Sequence, residues 1–75
     1  MSGTAAALVA VGTELVADGR SDTNGDLLSR ILASRGLPVG LRMMVGDEEE
    51  EIARTLLFAA QRCPLVVVTG GLGPT

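Results

Sequence analysis

The stretch LVVVTGGLGPT, residues 65–75, joins an apolar segment directly to a glycine-rich turn. Residues 65–69 are rich in β-branched side chains and lack polar alternation, which favours a strand buried on both faces. The glycines that follow, Gly70, Gly71 and Gly73, allow backbone N–H groups to approach an anion closely. A glycine turn at the end of such a strand predicts a parallel sheet that binds its ligand at the carboxyl edge.

Two further apolar segments lie before this one. Residues 5–11 form a continuous apolar run that ends at Gly12, whereas Val39–Val45 alternates, as a strand nearer the edge of a sheet does. Two helical patterns separate the three segments, so the order is β-α-β-α-β. Strands joined by helices are expected to be parallel with right-handed crossovers. We therefore predict a three-layer α/β unit with strand order 2-1-3 and helices on both faces.

The helical patterns carry recognisable start and stop signals. The first helix is predicted to begin near Thr23 or Asn24, both suitable N-caps, and to end at Gly36. The second is predicted to begin with Asp47 as its N-cap and to hold glutamates in its first turn. The apolar stripe of the first helix comprises Leu27, Leu28, Ile31 and Leu32. The expected buried side of the second helix comprises Ile52, Leu56, Leu57, Ala59, Ala60 and Cys63.

Composition excludes several classes of function. The 75 residues carry a net charge of −3 and one aromatic residue, Phe58, so they lack the basic patch and stacking aromatics of nucleic-acid-binding modules. Histidine is absent, which removes the commonest general base and metal ligand. The single cysteine, Cys63, is expected to be a buried apolar residue and not a nucleophile. The N-terminal apolar run is too short for a signal peptide or a membrane span, so we expect a cytoplasmic protein without membrane or nucleic-acid partners.

Each predicted strand ends on a glycine, at Gly12, Gly46 or Gly70. A single glycine in that place only ends a strand, but three in register favour a ligand-binding edge. With strand order 2-1-3, the crevice is expected between the first and third strands, where the chain order reverses. The residues predicted to bind a ligand or its phosphate groups are Gly12, Thr13, Glu14, Thr23, Asn24, Thr69, Gly70, Gly71, Gly73 and Thr75.

A loop of unusual length, residues 13–23, follows the first strand. Loops of this length after a strand are often functional. Asp22 and Asn24 are suited either to ligate a hard metal ion or to hydrogen-bond a ribose or pterin. Asp22 and Thr23 are equally suited to cap the following helix and nothing more. The sequence contains no Walker-type phosphate loop, no dinucleotide-binding glycine fingerprint and no nucleophile elbow.

Three strings together resemble the CinA family of competence/damage-inducible proteins. They are VGTELVADGRSDTNGDLLSRILASRGLPV at residues 11–39, VGDEEEEI at residues 45–52 and LVVVTGGLGPT at residues 65–75. The resemblance covers residues 8–75 and implies the molybdopterin-binding-like fold of molybdenum-cofactor biosynthesis proteins. The Leu72–Thr75 ending resembles CinA more closely than other members of that superfamily. Residues 1–75 would then be the N-terminal part, about half, of a single nucleotide- or pterin-binding domain truncated on its C-terminal side, before an acidic pair that usually follows the threonine.

The same resemblance implies an activity for the intact protein, which is metal-dependent hydrolysis of the pyrophosphate in ADP-ribose. For such a reaction, our hypothesis from the residues is that Asp22 and Asp47 are catalytic and that Asp22 is a ligand of a divalent metal ion whose other ligands are expected beyond residue 75. The 75-residue chain alone is expected to be inactive. Two alternatives stay open: a molybdopterin-binding or adenylyltransferase-like protein with molybdopterin as its ligand, and a non-catalytic fragment or binding module. The open edge of the third strand predicts a homo-oligomer.

Overall fold

The predicted order of helices and strands is confirmed by a computed structural model of the chain, which describes residues 6–12 and 23–70. The elements are β1 (Ala6–Val11), α1 (Thr23–Ser34), β2 (Val39–Val45), α2 (Glu49–Arg62) and β3 (Leu65–Gly70). All strand pairs are parallel and the sheet has the order β2-β1-β3, as predicted. Strand β1 is therefore central, and β2 and β3 form the two edges of the described sheet.

The two helices cover opposite faces of the sheet. Leu41 and Arg42 are adjacent on β2, so their side chains point to opposite faces. Leu41 packs against the apolar cluster that contains Ala59 of α2. Arg42 instead forms an ion pair with Asp26 of α1, with 2.7 Å between Nη1 and Oδ1. The result is the predicted three-layer arrangement of helix, sheet and helix.

Small and β-branched side chains form the core between the sheet and α2. Every residue of β1 is buried, and Ala59 on the facing side of α2 is 0% exposed. An alanine at this position lets the helix approach the sheet closely, because it has no side chain beyond Cβ. The cluster comprises Ala7, Val9, Val11, Val45, Ala59 and Cys63. Cys63 is a free, buried thiol, which confirms its predicted place in the core.

Helix α1 ends as the sequence indicates, at Gly36. This glycine has φ +80°, a left-handed conformation that is unfavourable for residues with a Cβ. The Leu37 N–H donates to the Leu32 carbonyl at 2.8 Å, and the Gly36 N–H donates to the Ala33 carbonyl at 3.1 Å. This pair of hydrogen bonds is the Schellman motif, which satisfies carbonyls at the end of the helix.

The predicted N-cap of α2 is wrong. The N-cap is Glu48, with extended backbone (φ −80°, ψ 130°) and no capping hydrogen bond from its side chain, while Asp47 is an exposed residue before it. Asp47 and Glu48 are consecutive carboxylates, so the sequence pattern suits either start and does not fix the boundary. The predicted buried side also needs correction, because Leu57 is 61% exposed and Ala60 is exposed.

Strand β3 lies at an edge although its sequence is typical of a central strand. Leu65 is 37% exposed and Val68 is 41% exposed, so apolar surface is open on both faces of this strand. Among the described elements, α2 packs on all three strands, whereas α1 packs mainly on β1 and β2. Neither of these helices is long and apolar enough to cross a membrane.

Candidate ligand-binding edge of the sheet

The carboxyl ends of the three strands are aligned in one row. Val11 at the end of β1 is paired with Val45 of β2 on one side and with Gly70 of β3 on the other. Adjacent strands lie about 4.8 Å apart, so this row spans roughly 10 Å, enough to accommodate a small anionic group. The prediction that the three glycines are in register is wrong for β3, because Gly70 pairs with Val11 itself, whereas Gly12 and Gly46 each follow the paired residues Val11 and Val45.

Gly12 directly follows Val11, in the middle of this row. It is buried, and its N–H donates to the Val45 carbonyl at 2.9 Å, which extends the pairing between β1 and β2 by one residue. Gly12 is a predicted ligand-binding residue, but its N–H is already used within the sheet. Its contribution to a ligand site would therefore be the absence of a side chain above the end of β1, not a free hydrogen-bond donor.

Gly70 and Gly46 occupy the two outer ends of the row and differ in their surroundings. Gly70 has φ +74°, and a Cβ built on it would lie 2.5 Å from the carbonyl oxygen of Val11. Gly46 has no atom within 4 Å of the corresponding position, so its surroundings are open. The close approach of Gly70 to Val11 could not be predicted from the sequence, because such contacts between backbones leave no signal beyond the glycine itself.

Thr69 and Asp47, the predicted polar site residues that lie next to strand ends in the described part, are at opposite ends of the row. Thr69 is half-buried near the end of β3, where it pairs with Ala10. Asp47 is exposed and follows β2, with β1 between it and β3. The structure therefore brings Thr69 and Gly70 together with Gly12 beside the predicted crevice, and it places Asp47 beyond the opposite side of β1.

Charge distinguishes the two sides of this edge. Five consecutive carboxylates follow Gly46, and all of them are exposed: Asp47, Glu48, Glu49, Glu50 and Glu51. Their negative field opposes the binding of an anion beside β2. The end of β3 has no charged side chain, since its residues are Leu65–Gly70. Among the described residues, the end of β3 therefore carries less negative charge than the end of β2.

Several predicted site residues fall outside the described ranges. These are Thr13, Glu14, Asp22, Gly71, Gly73 and Thr75. Thr23 and Asn24 lie within the ranges and open α1 as its first two residues. Their roles in binding, and those of the residues outside the ranges, stay predictions.

The described residues bring few donor atoms for a metal ion together. Within residues 6–12 and 23–70, no three His, Cys, Asp or Glu side chains gather into a group that could hold a metal ion. Asp47 is a candidate for a single ligand, which is too few for a divalent cation held by protein oxygens. The described residues therefore do not fit a metal ion by themselves.

Comparisons with known proteins show the family to which the chain belongs. Residues 7–75 match the model of the family described as "Probable molybdopterin binding domain". A competence-damage inducible protein of Halalkalibacterium halodurans is 43% identical over 70 residues, which are 93% of this chain and 17% of that protein. A CinA-like protein of Dictyoglomus thermophilum is 44% identical over 68 residues, which are 91% of this chain and 16% of that protein.

A solved structure shows the same fold. The crystal structure of the protein CinA, of unknown function, from Thermoplasma acidophilum superimposes with a TM-score of 0.89 at 31% identity, over 100% of this chain and 44% of that one. The chain thus spans less than a fifth of the length of these curated relatives and less than half of that crystallised chain. With its β2-β1-β3 sheet, aligned glycine-rich strand ends and match over residues 7–75, the chain belongs to the family of probable molybdopterin-binding domains and is similar to CinA-like proteins.

Proposed function

We propose that the edge between β1 and β3 binds the pyrophosphate of a nucleotide, and that the intact protein hydrolyses ADP-ribose there. By intact protein we mean a protein that contains this chain together with the additional residues found in its longer relatives. The observation that supports this most is the row of Val45, Val11 and Gly70, which aligns three glycine-ended strand ends at one edge. We place this activity in the cytoplasm.

The chemistry required of the site is limited. Water attacks one phosphorus atom, the bond to the bridging oxygen breaks, and the two products each leave with one phosphate, AMP and ribose 5-phosphate. Backbone N–H groups of the glycine turn after β3 would orient the pyrophosphate, and the Thr69 hydroxyl would donate to one of its oxygens. A divalent metal ion, when bound, would offset negative charge on the pyrophosphate. Asp22 is our candidate for one of its ligands, and both Asp22 and Asp47 are candidate catalytic carboxylates.

Binding is tested with a pair of threonine variants. Thr69→Val removes the hydroxyl at the end of β3 and keeps the shape of the side chain, so it should weaken ADP-ribose binding about tenfold, the loss of one hydrogen bond. Thr55→Val makes the same change on α2, where the residue is half-buried like Thr69, and should leave binding unchanged. Titration calorimetry of both variants of the chain gives the comparison. Equal affinities for the two variants would contradict the proposed site.

Turnover is tested in the intact protein. Asp22→Asn should sharply reduce metal-dependent hydrolysis of ADP-ribose, because the amide is a weaker metal ligand and carries no charge. Asp47→Asn should reduce the rate of hydrolysis more than it reduces affinity for ADP-ribose. Glu51→Gln removes one charge from the same exposed acidic run and serves as the control. Unchanged turnover in the Asp22 variant would exclude the metal-ligand role.

A second candidate follows from the description of the family. A probable molybdopterin-binding domain favours a pterin ligand, and a molybdopterin-binding or adenylyltransferase-like protein would use the same edge of the sheet. Competition separates the two proposals. If molybdopterin displaces ADP-ribose at lower concentration and no ADP-ribose is hydrolysed by the intact protein, the pterin function replaces the first proposal.

A further inference from the structure

We propose, on the basis of the function proposed above, that Asp26 and Arg42 are positioning residues for the ligand-binding edge. Their ion pair fixes the first turn of α1 against β2. Helix α1 in turn holds its first residues, Thr23 and Asn24, toward the carboxyl ends of the strands. Neither Asp26 nor Arg42 is among the residues predicted to contact the ligand, so both would act through α1.

Helix α1 begins on the side of the molecule where the strands end. It follows β1 and leads back to the start of β2, and these two strands are parallel, so α1 runs in the opposite direction to both. Its first turn therefore lies toward the carboxyl ends of the strands. Asp26 is in that turn, about 4.5 Å along the helix axis from Thr23. A displacement of the helix at Asp26 therefore also displaces Thr23 and Asn24, because all three belong to the same turn.

The ion pair joins two elements that are distant in the sequence. Arg42 Nη1 lies 2.7 Å from Asp26 Oδ1, across 16 residues of chain. Arg42 is in the middle of β2 and pairs with Leu8 of the central strand, so the sheet fixes the backbone that carries the guanidinium. A charge-assisted hydrogen bond of this length is strong and directional. The pair therefore limits both rotation and sliding of the first turn of α1 over the sheet.

The other contacts between α1 and the sheet are less directional. The residues of β1 that alternate with those facing α2 are Ala6, Leu8 and Ala10, so these three face α1. Alanines form shallow ridges, which resist sliding of a helix only weakly. The Ser29 hydroxyl is buried and has no hydrogen-bond partner within the described part of the chain, so it adds no directional contact. The ion pair therefore supplies an orientation that these side chains do not.

The negative charge of Asp26 distinguishes a positioning role from a direct electrostatic one. The proposed ligand is an anion, and a carboxylate near an anion repels it. If Asp26 acted on the ligand only through its charge, removal of that charge would strengthen binding. If Asp26 holds α1 in place, the same change weakens binding, because the ion pair is lost. The two roles therefore predict opposite effects of Asp26→Asn.

The first test measures the affinity of the intact protein for ADP-ribose by titration calorimetry. Asp26→Asn should weaken binding about two- to fivefold, the range expected for a half-exposed ion pair. The double variant Asp26→Asn/Arg42→Gln should also bind more weakly than the unmodified protein, although its net charge is unchanged. A loss of stability alone would not change the affinity, because the variants remain folded during the titration. An affinity equal to or above that of the unmodified protein in either variant would overturn the proposal.

Glu50→Gln is the matched control for this test. Glu50 is also a carboxylate in the first turn of a helix, and it also forms an ion pair, with Arg54 at 3.9 Å. Both partners belong to α2, so this pair cannot hold a helix against the sheet. Glu50→Gln should therefore leave the affinity unchanged or raise it slightly. A loss as large as that in Asp26→Asn would mean that any carboxylate in a first turn has this effect, and would overturn the proposal.

The second test needs no ligand, so it separates the role of the ion pair from the proposed function. Residual dipolar couplings, measured by NMR, report the orientation of backbone N–H bonds relative to the rest of the molecule. In Asp26→Asn the couplings of Leu27 and Leu28 should become smaller, because the first turn of α1 samples more orientations, whereas those of α2 should keep their values. Unchanged couplings at Leu27 and Leu28 would overturn the positioning role even where ADP-ribose binds. If the unmodified intact protein does not bind ADP-ribose, the proposed function is wrong, and the couplings alone decide whether the pair fixes α1.

Discussion

Gly70 and Val11 approach so closely that a Cβ at position 70 would lie 2.5 Å from the carbonyl oxygen of Val11. The two residues are also register partners, at the carboxyl ends of β3 and β1. Position 70 therefore requires glycine for two separate reasons, its positive φ and the absence of space. The energetic cost of each can be measured separately, because Gly36 has a positive φ without a close contact and Gly46 has neither.

Alanine substitutions at three glycines should destabilise the fold to different degrees. Gly46→Ala should be neutral or stabilising by about 0.5 kcal/mol, because Gly46 has open space and no positive φ. Gly36→Ala should lower the free energy of unfolding by about 1–2 kcal/mol, since φ is +80° but no atom lies within 4 Å. Gly70→Ala should lower it by roughly 2–5 kcal/mol, the left-handed cost plus the overlap with Val11. Urea denaturation gives all three values, and equal effects at positions 36 and 70 would contradict the close approach.

Enlarging Ala59 should disturb the packing of α2 on the sheet. Ala59 is 0% exposed and lies in the cluster with Val9 and Val11. Ala59→Leu should lower the free energy of unfolding by about 1–3 kcal/mol, because the added carbons have no space. Ala60→Leu is the control, as Ala60 is exposed on the same helix and should change stability by less than about 0.5 kcal/mol. If both variants are equally stable, α2 does not pack as described.

A better N-cap at position 48 should stabilise α2. Glu48 occupies the N-cap without a capping hydrogen bond from its side chain. Glu48→Asp keeps the charge, supplies a shorter side chain that reaches the first N–H groups, and should add about 0.5–1 kcal/mol. Glu51→Asp makes the same change inside the first turn, where no N-cap geometry exists, and should not stabilise. Thermal unfolding followed by circular dichroism distinguishes the two variants.

The ion pair between α1 and β2 should contribute little to stability. Asp26 and Arg42 are 2.7 Å apart, but their side chains are 56% and 40% exposed. A double-mutant cycle with Asp26→Ala and Arg42→Ala should give a coupling of about 0.2–1 kcal/mol, because water screens the pair. The coupling should shrink further in 1 M salt, as the screening length falls to about 3 Å. A coupling of several kcal/mol that salt leaves unchanged would mean that the pair is shielded from water.

The general architecture could be predicted because it depends on local patterns. Three apolar segments and two amphipathic ones, each punctuated by glycine, were enough for the element order, the parallel strands and the end of α1 at Gly36. The errors concern properties that patterns do not determine. Leu57 has the spacing of a buried residue but is 61% exposed, because spacing along a helix does not determine how far neighbouring elements cover each side chain. Five consecutive carboxylates gave no basis for choosing Glu48 over Asp47 as N-cap.

The candidate site was predicted less completely than the fold. Gly12, Thr69 and Gly70 were predicted as ligand-binding residues from their places at the strand ends, and the register brings them to one edge, while their roles in binding stay predictions. The backbone contacts of Gly12 and Gly70 could not be predicted from the sequence. The hydrogen bond from Gly12 to Val45 and the contact of Gly70 with Val11 depend on how two distant segments meet. Roles that depend on side chains, those of Asp22 above all, stay predictions from the sequence.

The buried thiol of Cys63 can report how often the contact between α2 and the sheet opens. It is the only cysteine, it is 4% exposed, and it lies between the end of α2 and the start of β3. A thiol reagent can reach the sulfur only when that junction separates, so the labelling rate measures how often it does. A substitution that loosens the junction between α2 and the sheet should raise the logarithm of the labelling rate in proportion to the free energy it costs. The native sulfur of Cys63 can therefore be used to rank core variants by their labelling rates, without a second cysteine being introduced.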